Sequence, residues 1–300
     1  MDARLAELLR LLELERLERD LFRGASRDIG APQVFGGQVL GQALRAAYAT
    51  VPDTHAAHSL HAYFLKRGDF DAPIVYFVDR SRDGHSFSNR RVTAIQHGQQ
   101  IFHMAASFQL PQEGLTHQLS MPAVPPPEAL ADGALPSRAE LTVMPEKLRE
   151  YYRSERPFEF RLIPPADEAG AAGAAGASAA GPSPSGADPL LQRVWMRTVD
   201  RLPDDDALHR CLLAYASDFH LLRTATLPHA AAFLSGRRFM ASIDHAMWFH
   251  WPVRVDEWFL YATDSPSASG ARGFARGSLF ARDGRLLAST AQEGLMRVSG

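Results

Sequence analysis

The sequence has almost no cysteine. Its 300 residues include a single one, Cys211, so no intrachain disulfide can form and no cysteine-based metal site can be assembled. Such sparing use of cysteine fits a reducing compartment. No histidine stands ready to activate a thiol nucleophile, and the sequence therefore predicts that Cys211 is a small, buried apolar side chain.

Net charge and long apolar runs are also missing. The 32 basic residues nearly balance the 34 acidic ones, for a formal charge of -2, which argues against nucleic acid as a partner. No run approaches the roughly 18 apolar residues of a membrane span, so membrane insertion is not expected. The chain ends in Arg-Val-Ser-Gly rather than in a peroxisomal tripeptide, and together with the cysteine usage this favours a cytoplasmic location.

Several catalytic motifs are absent as well. There is no G-x-S-x-G of a serine hydrolase and no H-E-x-x-H of a zinc enzyme, and the glycines near residue 40 lack dinucleotide or P-loop spacing. His58 and His61 lie three apart on a predicted strand and therefore point to opposite faces, which makes a poor metal pair. The sequence thus predicts neither a metal nor a cofactor.

The first half of the chain predicts helices followed by an antiparallel meander. Residues 5–22 carry leucines at helical spacing and predict an amphipathic packing helix. Residues 32–51 predict a second helix that contains Gly36, Gly37 and Gly41. Because each glycine costs about 1 kcal/mol inside a helix, we expect close approach of other backbone there, namely a sheet that closes on this helix. Four strand-like runs with turn signals between them follow.

The composition then divides the chain into three parts. Residues 1–120 form a predicted N-terminal unit, and residues 121–189 a connector. Within the connector, residues 164–189 are rich in Ala, Gly, Pro and Ser and predict a disordered surface insertion. Residues 190–300 repeat the earlier pattern as a C-terminal unit, with one long helix predicted over residues 206–227 and strands around it.

The two units align as an internal duplication. Gly98 falls on Gly284 with an offset of 186, and Ala62 falls on Ala246 with an offset of 184. Helix, following strand, arginine-bearing strand and final strand recur in the same order. The sequence therefore predicts an α+β protein, and each unit resembles a hot-dog fold, in which an antiparallel sheet wraps a central helix.

A polar set distinguishes the second unit. The offset of 186 places Gln292 on Ala106, an amide where the first unit has a methyl group. Asp218, within a helix that is otherwise apolar, and Ser242, on the next strand, are the other candidates. A carboxylate, a hydroxyl and an amide can together orient a water for base-assisted hydrolysis. Each residue also has an ordinary structural interpretation: a helix cap, a small strand residue and an exposed strand polar group.

Long motifs in both units resemble the acyl-CoA thioesterase II family. They are FRGAS, VFGGQVLGQAL, HSLHAYFL and DGHSFSNRRVTAIQ in the first unit, and YASDFHLL, MASIDHAMWFH, SASGARGFARG and LLASTAQEGLMR in the second. The likeness spans nearly the whole chain outside the insertion.

The resemblance implies fold, reaction and site together. It implies a double hot-dog, with two antiparallel sheets each wrapped around a central helix, that hydrolyses acyl-CoA to free acid and CoA. It further implies a catalytic Asp, Thr and Gln around the attacking water, which correspond here to Asp218, Ser242 and Gln292. Serine at 242 keeps the hydroxyl but lacks the stiffening methyl of threonine. The family also implies a homo-oligomer and an acyl-CoA substrate.

Four arginines are candidates for the phosphates of CoA, with solvated strand-edge arginines as the alternative. They are Arg90, Arg91, Arg272 and Arg276.

Two rival functions stay open at this point. A hot-dog enoyl-CoA hydratase or dehydratase would need a paired Asp and His. Asp218 and His220 are two apart on one predicted helix and point in different directions, while His245 is a possible partner without evident spacing. A non-catalytic acyl-CoA-binding protein is the second alternative.

Overall fold

The chain folds into one large antiparallel sheet around two central helices. The structure, a computed structural model, describes residues 1–30, 33–130, 156–164, 190–230 and 237–299. None of the helices in these ranges is long and apolar enough to span a membrane.

The described residues contain the following elements. The helices are α1 (Ala3–Leu12), α2 (Gly36–Tyr48), α3 (Asp206–Ser217) and α4 (Leu221–Thr224), with 3₁₀ turns at Pro127–Ala129 and Leu227–His229. The strands are β1 (Glu15–Glu18), β2 (Leu21–Gly24), β3 (Ala56–Phe64), β4 (Ile74–Asp83), β5 (Phe87–Gln96), β6 (Gln99–Gln109), β7 (Phe158–Leu162), β8 (Leu191–Thr198), β9 (Arg237–Ser242), β10 (Asp244–Phe249), β11 (Phe259–Ser269), β12 (Arg272–Ala281) and β13 (Leu286–Ser299).

The sheet shows the duplication directly. Its strand order is β1-β2-β4-β5-β6-β3-β10-β13-β12-β11-β8-β7, with β9 paired to β13. The first six strands come from the first half of the chain and the last six from the second. The two halves meet at the antiparallel pair β3–β10, where Met247 lies opposite Leu60. The sheets predicted for the two units are thus joined edge to edge.

The alignment that revealed the duplication holds at the last hairpins and slips in the centre. Gly98 and Gly284 both occupy hairpin turns with positive φ, 70° and 91°. On the central strands, however, Ala62 is cross-strand to the buried His245, whereas Ala246 is cross-strand to the exposed His61. The two alanines therefore face opposite sides of the sheet, and the offset of 184 is one residue out of phase.

The predicted helix over residues 5–22 is only partly correct. It ends at Leu12, and the chain then forms the β1–β2 hairpin. Asp20 occupies the turn with φ 61°, and its carboxylate accepts hydrogen bonds from Arg80 at 2.8 to 3.0 Å. Helical leucine spacing could not reveal this turn, because the ion pair that fixes it comes from β4.

Two of the three α2 glycines, Gly37 and Gly41, serve contact with the backbone of α3 rather than with the sheet. A Cβ on Gly37 would overlap the carbonyl oxygen of Tyr215, and one on Gly41 would lie 3.2 Å from the carbonyl oxygen of Cys211. Residue numbers rise along α2 as they fall along the facing part of α3, so the two buried helices pack antiparallel. The glycines allow their backbones to come close. The expected close approach of other backbone is present at these two glycines, but it comes from α3, so our expectation that it came from the sheet was wrong. Cys211 is fully buried in this contact, as predicted.

The connector crosses the outer face of the second half. The indole of Trp195 donates to the Pro125 carbonyl at 2.9 Å, and Met121 and Val124 pack beside it. Strand β7 lies within residues 121–189 and pairs with β8. Of the insertion predicted over residues 164–189, all but the first residue lies outside the described part of the chain.

Candidate active site

The site begins where α3 ends. Our prediction of one helix over residues 206–227 was wrong, because α3 stops at Ser217 and Asp218 is its C-cap. His220 then adopts a left-handed conformation, with φ 66°, before α4 starts. The break turns Phe219 into an aromatic cluster, where it stacks on Phe35 with ring centroids 4.5 Å apart. The helix break therefore leaves the Asp218 carboxylate at the helix end instead of on a helix face.

Asp218 meets the opposite end of the neighbouring helix. The backbone N–H of Gly37, in the first turn of α2, donates to Asp218 Oδ2 at 2.9 Å. A Cβ on Gly36 would lie 2.7 Å from the same oxygen. The start of α2 thus supplies both the space and a donor for the carboxylate, and a helix N-terminus favours negative charge.

Gln292 links the other two predicted residues. It lies on β13, its side chain is 1% exposed, and its Nε2 donates to Asp218 Oδ1 at 2.8 Å. The same nitrogen lies 3.1 Å from the hydroxyl of Ser242. Ser242 ends β9 and is cross-strand to Gly294, two residues beyond Gln292. Asp218, Ser242 and Gln292, chosen from three separate segments, therefore share one hydrogen-bonded group.

Two further residues extend this hydrogen-bonded group and were not predicted as part of it: His245 contacts Gln292, and Ser217 contacts His245. His245 on β10 has Nδ1 3.3 Å from Gln292 Nε2, and its Nε2 lies 3.0 Å from the hydroxyl of Ser217. The inward position of His245 is readable from strand alternation with Met247 and Phe249. The role of Ser217 is not readable, since a serine at a helix end is an ordinary cap residue.

Burial dominates the electrostatics of the site. It raises the pKa of Asp218, and the hydrogen bonds from Gln292 and from the Gly37 N–H offset part of that rise. Burial also lowers the pKa of His245 to about 3, so its imidazole is neutral at ordinary pH. In contrast, burial raises the pKa of the Cys211 thiol to about 12, which leaves it protonated and unfit as a nucleophile.

A small cavity adjoins the group. It has a volume of about 50 Å³, and Ser242 and Gly36 form part of its wall. This is room enough for a water molecule. Other lining residues are the apolar Val39, Phe64 and Phe102 and the exposed cations Lys66 and Arg67. The two cations were not among the residues predicted from the sequence.

The four predicted arginines lie away from this cavity. Arg90 is 0% exposed; it donates to the Thr50 hydroxyl and carbonyl, both at 2.8 Å, and forms an ion pair with Asp83. Its prediction as a phosphate ligand does not fit this position, because its donors are already used inside the first half.

The other three are exposed on the sheet. Arg272 pairs with Glu293 at 2.8 Å and Arg276 with Asp264 at 2.9 Å. Both alternate with the inward Ala275, which is cross-strand to Gln292, so they lie on the opposite sheet face from Gln292. Arg91 is likewise exposed and alternates with the buried Arg90.

Across the described ranges, no three His, Cys, Asp or Glu side chains gather in a way that could hold a metal ion. The polar groups of the site are one carboxylate, one hydroxyl, one amide and one imidazole, and the amide of Gln292 is hydrogen-bonded to the other three. The chemistry that this arrangement offers is orientation of a small polar molecule beside a carboxylate.

Known proteins resemble both halves of the chain. A family model described as acyl-CoA thioesterase matches residues 185–295, and one described as acyl-CoA thioesterase N-terminal domain matches residues 25–109. Acyl-CoA thioesterase 2 of Haemophilus influenzae is 42% identical over 98% of each chain. Acyl-coenzyme A thioesterase 8 of Homo sapiens is 41% identical over 99% of this chain and 91% of its own length.

Solved structures of related proteins resemble this chain over nearly its whole length. The acyl-CoA thioesterase II TesB2 from Mycobacterium marinum is 41% identical, covers 98% of this chain and 99% of its own, and superposes with a TM-score of 0.77. A hot-dog protein from Alicyclobacillus acidocaldarius, 20% identical with a TM-score of 0.73 over 98% of this chain and 99% of its own, shows the fold alone. The predicted double hot-dog fold is confirmed. In sequence and in fold, over both halves, the chain belongs to the acyl-CoA thioesterase family and is a thioester hydrolase of acyl-CoA.

Proposed function

We propose that Asp218, Ser242 and Gln292 hold the water that hydrolyses the acyl-CoA thioester, without a covalent intermediate. The observation that carries this proposal is the Gln292 amide, which bridges the Asp218 carboxylate at 2.8 Å and the Ser242 hydroxyl at 3.1 Å beside a water-sized cavity. These groups come from a helix end and two strands, so the fold fixes their positions before substrate binds.

Asp218 acts as the general base. It accepts a proton as the oxygen of the water bonds to the thioester carbonyl carbon, and collapse of the tetrahedral intermediate breaks the C–S bond and releases the CoA thiolate. Asp218 then returns the proton to the products and is regenerated. Burial suits this role, because a carboxylate with a raised pKa is a stronger base than an exposed aspartate.

The start of α2 supplies the oxyanion donor. The first N–H groups of a helix have no intrahelical acceptor, and the Gly37 N–H is already bonded to Asp218. Gly36 lines the cavity, and its N–H is the donor that we assign to the carbonyl oxygen of the substrate. Such donors are worth roughly 3 to 4 kcal/mol where they have been removed in other enzymes.

The same cavity indicates how the substrate lies. Its apolar wall, which includes Val39 and Phe102, would contact the first carbons of the acyl chain next to the thioester, and the cavity of about 50 Å³ would have to widen to admit the rest of the chain. Lys66 and Arg67 are exposed cations on the same cavity and are better placed for CoA phosphates than Arg91, Arg272 or Arg276 on the outer sheet face. The three outer arginines stay a prediction as ligands of the CoA phosphates.

Substitution of Asp218 by asparagine tests the proposal. Asp218→Asn keeps the shape and removes the base, so thiol release from an acyl-CoA should fall by about 10²- to 10⁴-fold with the thermal unfolding temperature preserved. In the wild type, turnover should be lost on the acid side as Asp218 takes up a proton, at a pH above the ordinary aspartate pKa of 3.8. Near wild-type turnover by Asp218→Asn would refute the assignment.

Crotonyl-CoA separates the rival functions. Hydrolysis releases free thiol, hydration consumes the conjugated double bond without thiol, and a non-catalytic binding protein does neither. Both ring nitrogens of His245 are engaged by Ser217 and Gln292, which leaves no free imidazole to pair with Asp218 on a substrate β-carbon. We therefore expect thiol release alone.

The outer face of the central strands supports assembly into a homo-oligomer. Tyr63 is 48% and Trp248 38% exposed there, and Trp248 packs edge-to-face on His61. Exposed aromatic groups of this kind favour self-association. Light scattering after gel filtration would show a multiple of 33.0 kDa. The cytoplasmic location stays a prediction that cell fractionation would test.

A further inference from the structure

We propose that His245 is a positioning residue that fixes the orientation of the Gln292 amide, and that it does so from an anchor on Ser217. The inference deepens the proposed function and rests on it, because it concerns how the water-holding amide is held.

The fold places His245 beside Gln292. Ala246 is cross-strand to Ala291, and the same antiparallel register sets His245 next to Gln292 on the inner face of the sheet. His245 is 1% exposed. A buried imidazole with a polar partner at each nitrogen is therefore locked between the end of α3 and the last strand.

The proton arrangement follows from the helix. The Ser217 hydroxyl donates to the Ala214 carbonyl at 2.9 Å, so towards His245 its oxygen can only accept. His245 Nε2 must then carry the proton, which makes Nδ1 an acceptor. The group that faces Nδ1, at 3.3 Å, is the Gln292 Nε2, which can donate. A chain of hydrogen bonds thus runs from a helix carbonyl to the amide.

This chain assigns the two ends of the amide. The NH₂ group of Gln292 faces Asp218, Ser242 and His245, and these three acceptors share its two hydrogens. Its Oε1 lies on the other side, where it is buried and has no hydrogen-bond partner among the described residues. A flipped amide would bring Oε1 against the Nδ1 lone pair and the Asp218 carboxylate. His245, together with Asp218, therefore fixes which end of the amide is left as a free acceptor.

The first half of the chain uses the equivalent hydroxyl differently. Thr50, in AYAT at the end of α2, matches Ser217, in AYAS at the end of α3, and its hydroxyl likewise donates to the carbonyl three residues earlier, at 2.8 Å. There the oxygen accepts from Arg90 Nε at 2.8 Å instead of from an imidazole. The hydroxyl is a common anchor, and only in the second half does it hold a residue that reaches an amide.

A double-mutant cycle tests the inference. His245→Ala should lower kcat by about 10- to 100-fold, the size of effect seen for hydrogen-bonding partners that orient metal ligands in other enzymes, with KM changed by less than about twofold. In a Gln292→Ala background, His245→Ala should lower kcat no further, because its only route to the water is gone. A role in stability alone would leave kcat unchanged in both backgrounds, and an independent effect on catalysis would multiply the two losses.

Controls keep the test decisive. His209→Ala removes another buried imidazole with both ring nitrogens engaged, at the far end of α3, and should lower stability without changing kcat. If His245→Ala does not fold, Ser217→Ala, a much smaller change, replaces it in the same cycle.

The outcomes are separable from failure of the proposed function. Independent losses in the cycle, or wild-type kcat in His245→Ala, overturn the positioning role while an inactive Asp218→Asn leaves the proposed function in place. An active Asp218→Asn overturns the proposed function itself.

Discussion

The two ends of the central helix pair share a backbone but differ in chemistry. At one end α3 finishes against the start of α2, and Asp218 takes a hydrogen bond from the Gly37 N–H. At the other end α2 finishes near the start of α3, and the position that matches Asp218 in the AYAT/AYAS alignment is Val51. The two helix ends place their hydroxyls, Thr50 and Ser217, in the same geometry.

The strand side differs in the same sense. Gln292 on β13 aligns with Ala106 on β6, and Ala106 is cross-strand to the buried Arg90. At the Val51 end, Val51 replaces the carboxylate of Asp218 and Ala106 replaces the amide of Gln292. The Arg90 guanidinium lies there in a structural ion pair with Asp83. Both halves of the chain thus keep the same backbone arrangement, but only the second half carries the carboxylate and the amide of the candidate site. We therefore expect one active site per chain.

The largest effect should come from making the two ends alike. Asp218→Val copies Val51 into the active end and should lower kcat by about 10²- to 10⁴-fold. The reverse change, Val51→Asp in the same chain, should restore nothing, because Ala106 stands in the place of Gln292 and offers no amide to hold a water. The rate of thiol release by the single and double variants measures turnover. Recovered turnover in the double variant would show that the Val51 end retains a working site.

A smaller effect should follow from filling the space beside Asp218. In Gly36→Ala the new Cβ would lie 2.7 Å from Asp218 Oδ2 and 3.0 Å from the Phe64 ring, so the carboxylate must shift. We expect kcat to fall by about 10- to 100-fold, since small displacements of a catalytic group are costly.

Gly37→Ala is the matched variant for that test. Its Cβ would overlap the Tyr215 carbonyl in α3, so helix packing and the thermal unfolding temperature should suffer first. Unchanged kcat in Gly36→Ala would mean that Asp218 does not need its present position.

Loss of the Arg90 guanidinium at the Val51 end should lower the free energy of unfolding and leave substrate affinity unchanged. Arg90→Met removes buried hydrogen bonds to Thr50, and urea unfolding should show a loss of about 2 to 3 kcal/mol, the value for hydrogen bonds that involve a charged group. Its KM should stay at the wild-type value. Arg67→Ala, by comparison, should raise KM and weaken the dependence of KM on salt. A raised KM in Arg90→Met alone would restore Arg90 as a phosphate ligand.

The smallest effect should come from restoring the hydroxyl residue that the family resemblance implies. Ser242→Thr keeps the oxygen 3.1 Å from Gln292 and adds a methyl that restricts its rotamer, so kcat should change by less than about threefold. Ser242→Ala, which removes the oxygen, should cost clearly more. Equal turnover in Ser242→Ala and the wild type would exclude the hydroxyl from the water site.

Residue patterns singled out two members of the candidate site, and the family resemblance supplied the role proposed for each of the three. Gln292 was visible because strand alternation and the duplication offset placed an amide where its counterpart has a methyl. Asp218 was visible as a charge inside an apolar helical segment, yet its true setting depends on His220 breaking the helix, and a left-handed histidine has no local signature comparable to glycine.

Other features could not be read locally. The purpose of the α2 glycines depends on where α3 packs, which is a tertiary fact. Arg90 and Arg276 look alike in sequence, but one side chain lies inside the sheet and the other outside, and only the register decides which. Lys66 and Arg67 follow the end of β3, so their proximity to Ser242 arises from the joint between β3 and β10.

A single-turnover reaction in ¹⁸O-labelled water tests the central claim most directly. With enzyme in excess over acyl-CoA, a water held by Asp218, Ser242 and Gln292 delivers its oxygen straight to the carbonyl carbon. The account predicts ¹⁸O in the released acid and none in the peptide that contains Asp218. Unlabelled acid together with label in Asp218 would show that the carboxylate itself attacked the thioester, and would contradict it.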